Sequence, residues 1–561
     1  MAQLRAGLAG LMMMALPVAA LAEAPGAEML RAALEVEEIS IDGRRLDGAS
    51  LRRFYQPRQH AAAWLGPAAP LDRAGFIAAL RTAPAHGLEP NDYHLAAIDA
   101  REPGAGPAGV ELELLLSDAW FRYATHMRVG RVDMAAIEDD WVLPPTPFDA
   151  VAALAAVADP AAFNALMASL PPQQPLYRRL MQALVEMRLR LAGPVLPSVM
   201  PGPAIKPDAS DPRLLAVRRR LIAEGDLAAD KAQGETLDAE LVAALERFQR
   251  RYGLEADGVV GARTILTMNI SPATRIEQIL ANLERLRAMP RDIPDTALVV
   301  NVPATEAILT ANGEVAFAAN VIVGTPANPT PVLAASFRSL LLNPPWTVPH
   351  SIATKEILPK LQRDPAYLGR QNMVILKREH DPQGWELDWR AYRRNYFPFV
   401  LRQLPGPGTA LGYIKFEMPN RFDVYLHDTP DRRLFARGDR YFSHGCVRLQ
   451  NPRVLAAWLL RDNPAWSAEA IDAAIASGVT QRVGLPRAIP IYLVYQTVFE
   501  GRDGSLQFRH DVYGRDWRLN MALHQLREGI LPAQSTVMVA AAKPPDLSKK
   551  EASDLPTRGP N

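Results

Sequence analysis

One cysteine stands among 561 residues, and its neighbours do not suit an apolar core: Ser443-His444-Gly445-Cys446, with Arg448 two positions on. A free thiol titrates at about 8.5, so a cysteine nucleophile needs an imidazole or a positive charge beside it. His427 is the candidate base. In RFDVYLH (421–427) alternation puts Phe422, Val424 and Leu426 on one strand face and Asp423, Tyr425 and His427 on the other. Gly445 removes a side chain next to the sulfur, so the N–H groups of Gly445 and Cys446 can form an oxyanion hole, in which one lost donor costs about 3–4 kcal/mol. If the chain stays extended through Val447, Arg448 returns to the cysteine's face, where it could grip a substrate carboxylate. Covalent acyl transfer fits this set. Two other readings compete: an inert buried thiol, and zinc held by His427, His444 and Cys446, although neither H-E-x-x-H nor a paired HxH is present. His444 is read equally as structural or as supporting catalysis.

The elements that must position these groups follow from the flanking pattern. Ser443 comes 16 positions after His427, enough for a loop to return to the strand. Asn451 reads as an N-cap with Pro452 at N1, so a helix is expected directly after the Gly-Cys turn. From about 296 the chain is β-rich, with an Asn312-Gly313 hairpin turn and a late strand at IPIYLVYQTVFE (489–500). Residues 212–270 read as a small helical unit: Leu237, Leu241, Leu245, Phe248 and Tyr252 recur at helical spacing, Gly253 ends the helix, and Asp257-Gly258 makes a turn. Residues 194–212 hold six prolines and no periodicity. From about 28 to 192 the text is Ala/Leu-rich and helical, and His60, His86, His94 and His126 are scattered there without ligand spacing, as surface or core histidines. At the start, Arg5, the apolar Leu8–Leu16 run and Ala20-Leu21-Ala22 read as a cleaved export signal, too short for a membrane span.

Composition narrows the field. Hydrophobic residues make up 48% and charged ones 22%, so wholesale disorder is excluded. The 62 basic and 61 acidic residues leave +1, which gives no global field toward nucleic acid or an anionic membrane. With one cysteine, no intramolecular disulfide can form.

The pattern His427…Ser443-His444-Gly445-Cys446-x-Arg448 resembles the YkuD-type L,D-transpeptidase signature. The longer YLHDTP…LF…R-x-F-S-x-G-C-V-R, with NPPWTVPHSIATKEILPKLQRDPAYL (343–368) and FRHDVYGRD (508–516), is similar to its large Gram-negative, YcbB-like branch. FQRRYGL, ADGVVG and Thr264 within 212–270 resemble the peptidoglycan-binding type 1 family. The resemblance implies a multidomain α+β chain: a helical N-terminal scaffold, a three-helix peptidoglycan-binding module and a β-rich catalytic domain with a capping insertion. The expected boundaries are 1–22 signal peptide, 23–193 scaffold, 194–211 linker, 212–270 wall-binding module and 296–500 catalytic domain with a cap at about 350–412. Residues 501–540 would be a C-terminal extension and 541–561 a disordered tail.

The implied activity is periplasmic L,D-transpeptidation without cofactor or metal. Cys446 would attack the carbonyl between diaminopimelate and the fourth-position D-Ala of a peptidoglycan stem. The resulting thioester would be resolved by another stem's diaminopimelate amine to give a 3→3 cross-link. His427 would be the general acid/base, oriented by the main-chain carbonyl of Asp428. Arg448, Ser443, Tyr413 and Trp346 are the candidate substrate contacts, although some family members carry Asn where Arg448 stands. The same thioester also suits an L,D-carboxypeptidase or hydrolase, and a non-catalytic wall-binding scaffold is the alternative of a different class. Peptidoglycan is the expected partner, with cell-wall synthases as further candidates and no nucleic acid.

Overall fold

The structure, a computed structural model, describes residues 25–528 except 68 and 145. The signal reading at 1–22 and the tail reading at 541–561 lie outside the described residues. Two compact units emerge among the described residues: one holds residues 25–128 with Pro147–Pro172, the other Val129–Thr146 and residues 173–528.

The first unit is helical and is organised on α1 (Pro107–Val129). Glu113 of α1 is fully buried and accepts from the Ala63, Trp64 and Leu65 amides and the Tyr55 hydroxyl. Four donors compensate a carboxylate that burial would otherwise make costly. His94 and His126 are core histidines, on Asp118 (2.7 Å) and the Tyr93 hydroxyl (3.0 Å).

In the second unit the chain passes β1 (Trp141–Val142) and α2 (Pro175–Ala192). The α2 helix, inside the expected 23–193 scaffold, packs with the second unit. It buries Tyr177, Leu180, Leu184 and Met187 in the second unit's core, and the Tyr177 hydroxyl accepts from Arg287 (3.2 Å).

The expected three helices follow as α3 (Leu214–Glu224), α4 (Ala239–Arg251) and α5 (Ala262–Met268). Asp238 caps α4 through the Leu241 amide (2.9 Å), and Leu241, Leu245 and Phe248 fill its buried stripe. Gln249 then staples the Asp257-Gly258 turn, donating to Asp257 (2.9 Å) and accepting from the Gly258 amide (3.0 Å).

After α6 (Pro272–Ala288) the chain enters the sheet. Its strands are β2 (Ala297–Asn301), β3 (Glu306–Ala311), β4 (Glu314–Gly324) and β5 (Val332–Leu342). A small separate sheet of β6 (Trp346–Thr347), β7 (Met373–Ile375) and β8 (Leu401–Gln403) interrupts them. The main sheet resumes with β9 (Ile414–Glu417), β10 (Leu426–His427), β11 (Tyr441–Ser443) and β12 (Val447–Leu449), then α7 (Pro452–Leu460) and β13 (Gln481–Val494). The order is β9-β10-β12-β4-β3-β2-β13-β5-β1, with β11 on β4. Pairing of β9 with β5 closes the path on itself and removes two open edges. Asn312-Gly313 makes the expected hairpin between β3 and β4, with positive φ at both residues (53° and 81°).

The chain ends its described part with the hairpin β14 (Val498–Glu500)/β15 (Leu506–Phe508) and α8 (Arg515–Arg527). Residues read from sequence as an appended extension are thus part of the core. Arg515 of α8, 1% exposed, pairs with Glu138 (2.5 Å) and Asp140 (2.5 Å). Asp516 takes Arg285 of α6 (2.5 Å). Glu284, also fully buried, is held near pKa 2 against the opposing effect of burial by Arg131 and Arg287. Among the described residues, no helix is long and apolar enough to cross a membrane.

Candidate active site

Three short strands build the site by alternation. Strand β10 runs parallel to β12, with Leu426 opposite Val447 and His427 opposite Arg448, and antiparallel to β9, with Lys415 opposite His427 and Phe416 opposite Leu426. One face of this ribbon is core: Phe416, Leu426, Val447 and Leu449 are each 0% exposed. The other face therefore collects Lys415, His427 and Arg448, with Tyr425 and Cys446 one pleat back. Residues far apart in sequence meet because the register leaves them no other side.

His427 is buried, and its Nδ1 lies 2.5 Å from the Asp428 carbonyl. A carbonyl only accepts, so Nδ1 carries the proton and Nε2 is the basic nitrogen. This is the orientation the sequence reading expects of Asp428. Burial, then the charges of Arg448 and Lys415, pull the imidazole pKa down to about 3, so the free protein holds it neutral. The Asp428 carboxylate works locally, accepting from the Tyr413 (3.0 Å) and Thr429 (2.8 Å) amides. Gly412 packs so closely on it, at φ +59°, that a Cβ would stand 2.5 Å from Asp428 Cβ.

Cys446 is half-buried, with its S–H directed at the Asp423 carbonyl (4.0 Å). Burial pushes the thiol pKa up; the Tyr425 amide and hydroxyl, Lys415 and Arg448 oppose that rise. Burial and the neighbouring Cys446 push the Tyr425 hydroxyl pKa up, and Trp346 opposes that rise. Lys415 Nζ sits 4.2 Å from the Tyr425 ring centroid. Tyr425 and Lys415 are site residues the sequence reading missed. Tyr425 was legible, since it shares His427's alternation phase; Lys415 was not, because its pairing with β10 is non-local. The resting site is a neutral thiol and a neutral imidazole beside two cations, and His427 and Cys446 share a face without a hydrogen bond between them among the described residues.

The turn at the nucleophile departs from expectation. Gly445, expected in the oxyanion hole, gives its N–H to Ser443 Oγ (3.1 Å), while Ser443 Oγ donates to the Cys446 carbonyl (2.5 Å). Ser443 is 2% exposed and clamps the turn rather than facing substrate. Gly445 is required for its φ of +109°. Its carbonyl is held by Thr330 Oγ1 (2.8 Å), and the Cys446 amide is left as the N–H available to an oxyanion. Strand β12 carries the chain on from the cysteine in extended form, and α7 begins at Pro452, the expected first helical residue. Asn451 precedes α7 at φ +56° and makes no side-chain cap.

Arg448 carries a charge that Asp431 offsets only through space. Among the described residues it has no carboxylate within ion-pair distance, and its Nε is buried without a partner. His444 instead points outward to Glu356 (2.5 Å), which lies on a π-helical turn, Ala353–Ile357, of the insertion. That insertion has its own core around Trp389, Leu361 and Leu401, and Trp346 packs on its edge. Tyr413, half-buried, packs against the main core.

Residues 295–467 match the family model of the L,D-transpeptidase catalytic domain (YkuD), residues 210–268 that of a "Putative peptidoglycan binding domain", and residues 49–184 that of a scaffold domain. A Haemophilus influenzae protein named "Putative L,D-transpeptidase" is 35% identical over 256 residues, 45% of this chain and 51% of that protein. The chain thus spans about half the length of the curated relative it matches. Solved L,D-transpeptidases from Stackebrandtia nassauensis (13% identity, 54% of this chain and 97% of that one, TM-score 0.22) and Xylanimonas cellulosilytica (16%, 53% and 100%, TM-score 0.18) are similar to parts of it. The chain therefore carries a YkuD-type L,D-transpeptidase catalytic domain together with a peptidoglycan-binding domain.

Proposed function

We propose that this protein is a periplasmic L,D-transpeptidase that forms 3→3 peptidoglycan cross-links through a thioester on Cys446. The observation that carries the reading is the single strand face shared by Cys446, His427 and an Arg448 that lacks a carboxylate partner. A half-buried guanidinium without an ion pair, offset by Asp431 only through space, is costly unless a ligand supplies a closer partner, and a stem peptide brings carboxylates. Its diaminopimelate carboxylate would pair with Arg448 and present the carbonyl before D-Ala to the sulfur.

In this mechanism Nε2 of His427 takes the thiol proton as Sγ adds to the carbonyl. The oxyanion is received by the Cys446 amide, with Lys415 adding positive potential on the same face. Collapse breaks the C–N bond, His427 returns the proton to the departing D-Ala amine, and the thioester remains. The diaminopimelate amine of a second stem then adds, loses its proton to His427 and expels the thiolate. Water in place of that amine gives hydrolysis instead. The carboxylate at Arg448 would also offset a charge that depresses His427, strengthening the base only when substrate is bound.

The test is the muropeptide profile after incubation with tetrapeptide stems, read beside Cys446→Ser. Cross-linked dimers with free D-Ala are expected from the natural protein and none from the variant, whose hydroxyl His427 cannot activate comparably. Tripeptides without dimers would replace transpeptidation by carboxypeptidation. Unchanged products from the variant would remove Cys446 as nucleophile.

A further inference from the structure

Several arginines of the second unit are buried or half-buried, Arg275 the former and Arg440 and Arg509 the latter, and they differ in what they meet. Arg131, Arg285, Arg287 and Arg515 each meet a carboxylate. Arg275, Arg440 and Arg509 do not: among the described residues none has a carboxylate within ion-pair distance. All three line one cleft of about 1400 Å³ between the three-helix module and the catalytic sheet.

Their positions are fixed by neutral groups. Arg275, 8% exposed, stacks on Tyr252 (4.6 Å) and Phe508 (5.1 Å) and donates to Gln278 (2.9 Å). Arg440 donates to the carbonyls of Arg437 (2.8 Å) and Thr305 (3.4 Å), and its Nε is buried with no partner. Arg509 donates to the carbonyls of Arg251 (3.0 Å) and Phe508 (2.9 Å) and to Gln507 (3.2 Å). Carbonyls orient a guanidinium without neutralising it, and Glu224, Glu306 and Asp439 offset these charges only through space, without an ion pair, which leaves a preorganised anion site. Burial accordingly lowers all three pKa values, that of Arg509 to about 10. The acids on the walls are already engaged: Asp439 with Arg263 (2.7 Å), Asp516 with Arg285 (2.5 Å) and Asp511 with the Tyr495 hydroxyl (2.8 Å), while Glu277 lies exposed.

The same cleft carries apolar surface that the core leaves uncovered. Leu266, Trp517 and Met521 line it and are 70%, 67% and 40% exposed. An exposed indole beside fixed guanidinium groups suits a ligand with both a sugar face and carboxylates. Tyr441 and Phe442, which also line the cleft, run directly into Ser443-His444-Gly445-Cys446.

We propose that this cleft is a second carboxylate-binding site that holds a glycopeptide segment of peptidoglycan while another stem occupies Cys446. The proposal rests on the functional reading above and adds where the polymer is held. It gives the wall-binding module a shared site with the catalytic sheet instead of a separate tether.

The test uses the full chain pre-acylated at Cys446 with a carbapenem, so that the first site is closed. Isothermal titration with a soluble disaccharide-tetrapeptide should show one binding event. Amidation of the ligand's carboxylates should weaken it by about tenfold or more, as should Arg440→Gln. Amidation should then have little further effect in that variant. Trp517→Ala, a change on the surface, should weaken binding without touching the fold, and the amidation comparison needs no variant at all. No binding by the acylated protein, equal affinity for the amidated ligand, or undiminished affinity in folded Arg440→Gln would each overturn the site. Inorganic phosphate that binds in place of the muropeptide would overturn its assignment to peptidoglycan. Failure of the carbapenem to acylate Cys446 would instead count against the functional reading, and titration of the unmodified protein would still decide the cleft.

Discussion

Replacing Arg448 by Met should make the protein more stable and less active at once. The guanidinium is half-buried, has an unpartnered buried Nε, and meets no carboxylate among the described residues. A thioether of similar length removes that desolvated charge, so a gain of about 1 kcal/mol is expected, seen as a rise of roughly 2 °C in melting temperature. Activity moves the other way. A charge-assisted bond to a substrate carboxylate is worth about 1.5–3 kcal/mol, so kcat/KM for tetrapeptide stems should fall roughly 10- to 150-fold. A control separates recognition from chemistry. Iodoacetamide carries no carboxylate, and its reaction with Cys446 should change only through two opposed effects of losing the cation, a raised thiol pKa and a less depressed His427 base. The decisive measurements are thermal melts, steady-state kinetics and alkylation rates across pH. A lower melting temperature with undiminished kcat/KM would refute the assignment of Arg448 as a vacant carboxylate receptor.

His427 is held neutral with its pKa depressed to about 3, below the ordinary imidazole value near 6.5. The unfolded chain therefore binds the extra proton between those values, and this contribution to stability is full above about 6.5 and is lost as pH falls toward 3; His427→Gln should flatten that part of the stability–pH curve measured by urea melts. Ser443→Ala leaves the Gly445 amide and the Cys446 carbonyl without their partner, so a loss of about 2–4 kcal/mol and slower carbapenem acylation are expected by denaturant titration and mass spectrometry. Gly412→Ala drives a Cβ to 2.5 Å from Asp428 Cβ at a positive φ; acylation should fall at least about tenfold with the melting temperature also reduced, and unchanged acylation would separate the 412–413 loop from the placement of His427.

What was legible depended on how local the signal was. The Asn312-Gly313 hairpin and the α4 stripe ending at Gly253 rest on neighbours within a few residues, and the structure has both, whereas the His427–Asp428 orientation came from the family resemblance. The strand read across 421–427 shortened to Leu426–His427 for an equally local reason that alternation hides. Asn420 accepts from the Phe422 and Val424 amides and donates to the Met418 and Val424 carbonyls, a side-chain turn that replaces strand pairing. Lys415, the Ser443 clamp and the packing of α2 with the second unit depend on partners that periodicity cannot name. The role expected of Gly445 was the most instructive miss. Its φ of +109° explains the glycine by itself, and its amide is already engaged.

The insertion between β6 and β8 begins and ends side by side, since Trp346 lies opposite Gln403 and Thr347 opposite Arg402. Its own core, from Val348 to Leu401, is a cluster separate from that of the main sheet. An excursion closed at the neck in this way behaves as a cassette: it could be shortened, exchanged or shuffled between relatives without disturbing the register of β9, β10 and β12. What would change is the reach of Trp346 to Tyr425 and of Glu356 to His444. Substrate choice and reactivity can therefore drift separately in this architecture, the first through the cassette and the second through three short strands that tolerate almost no slippage.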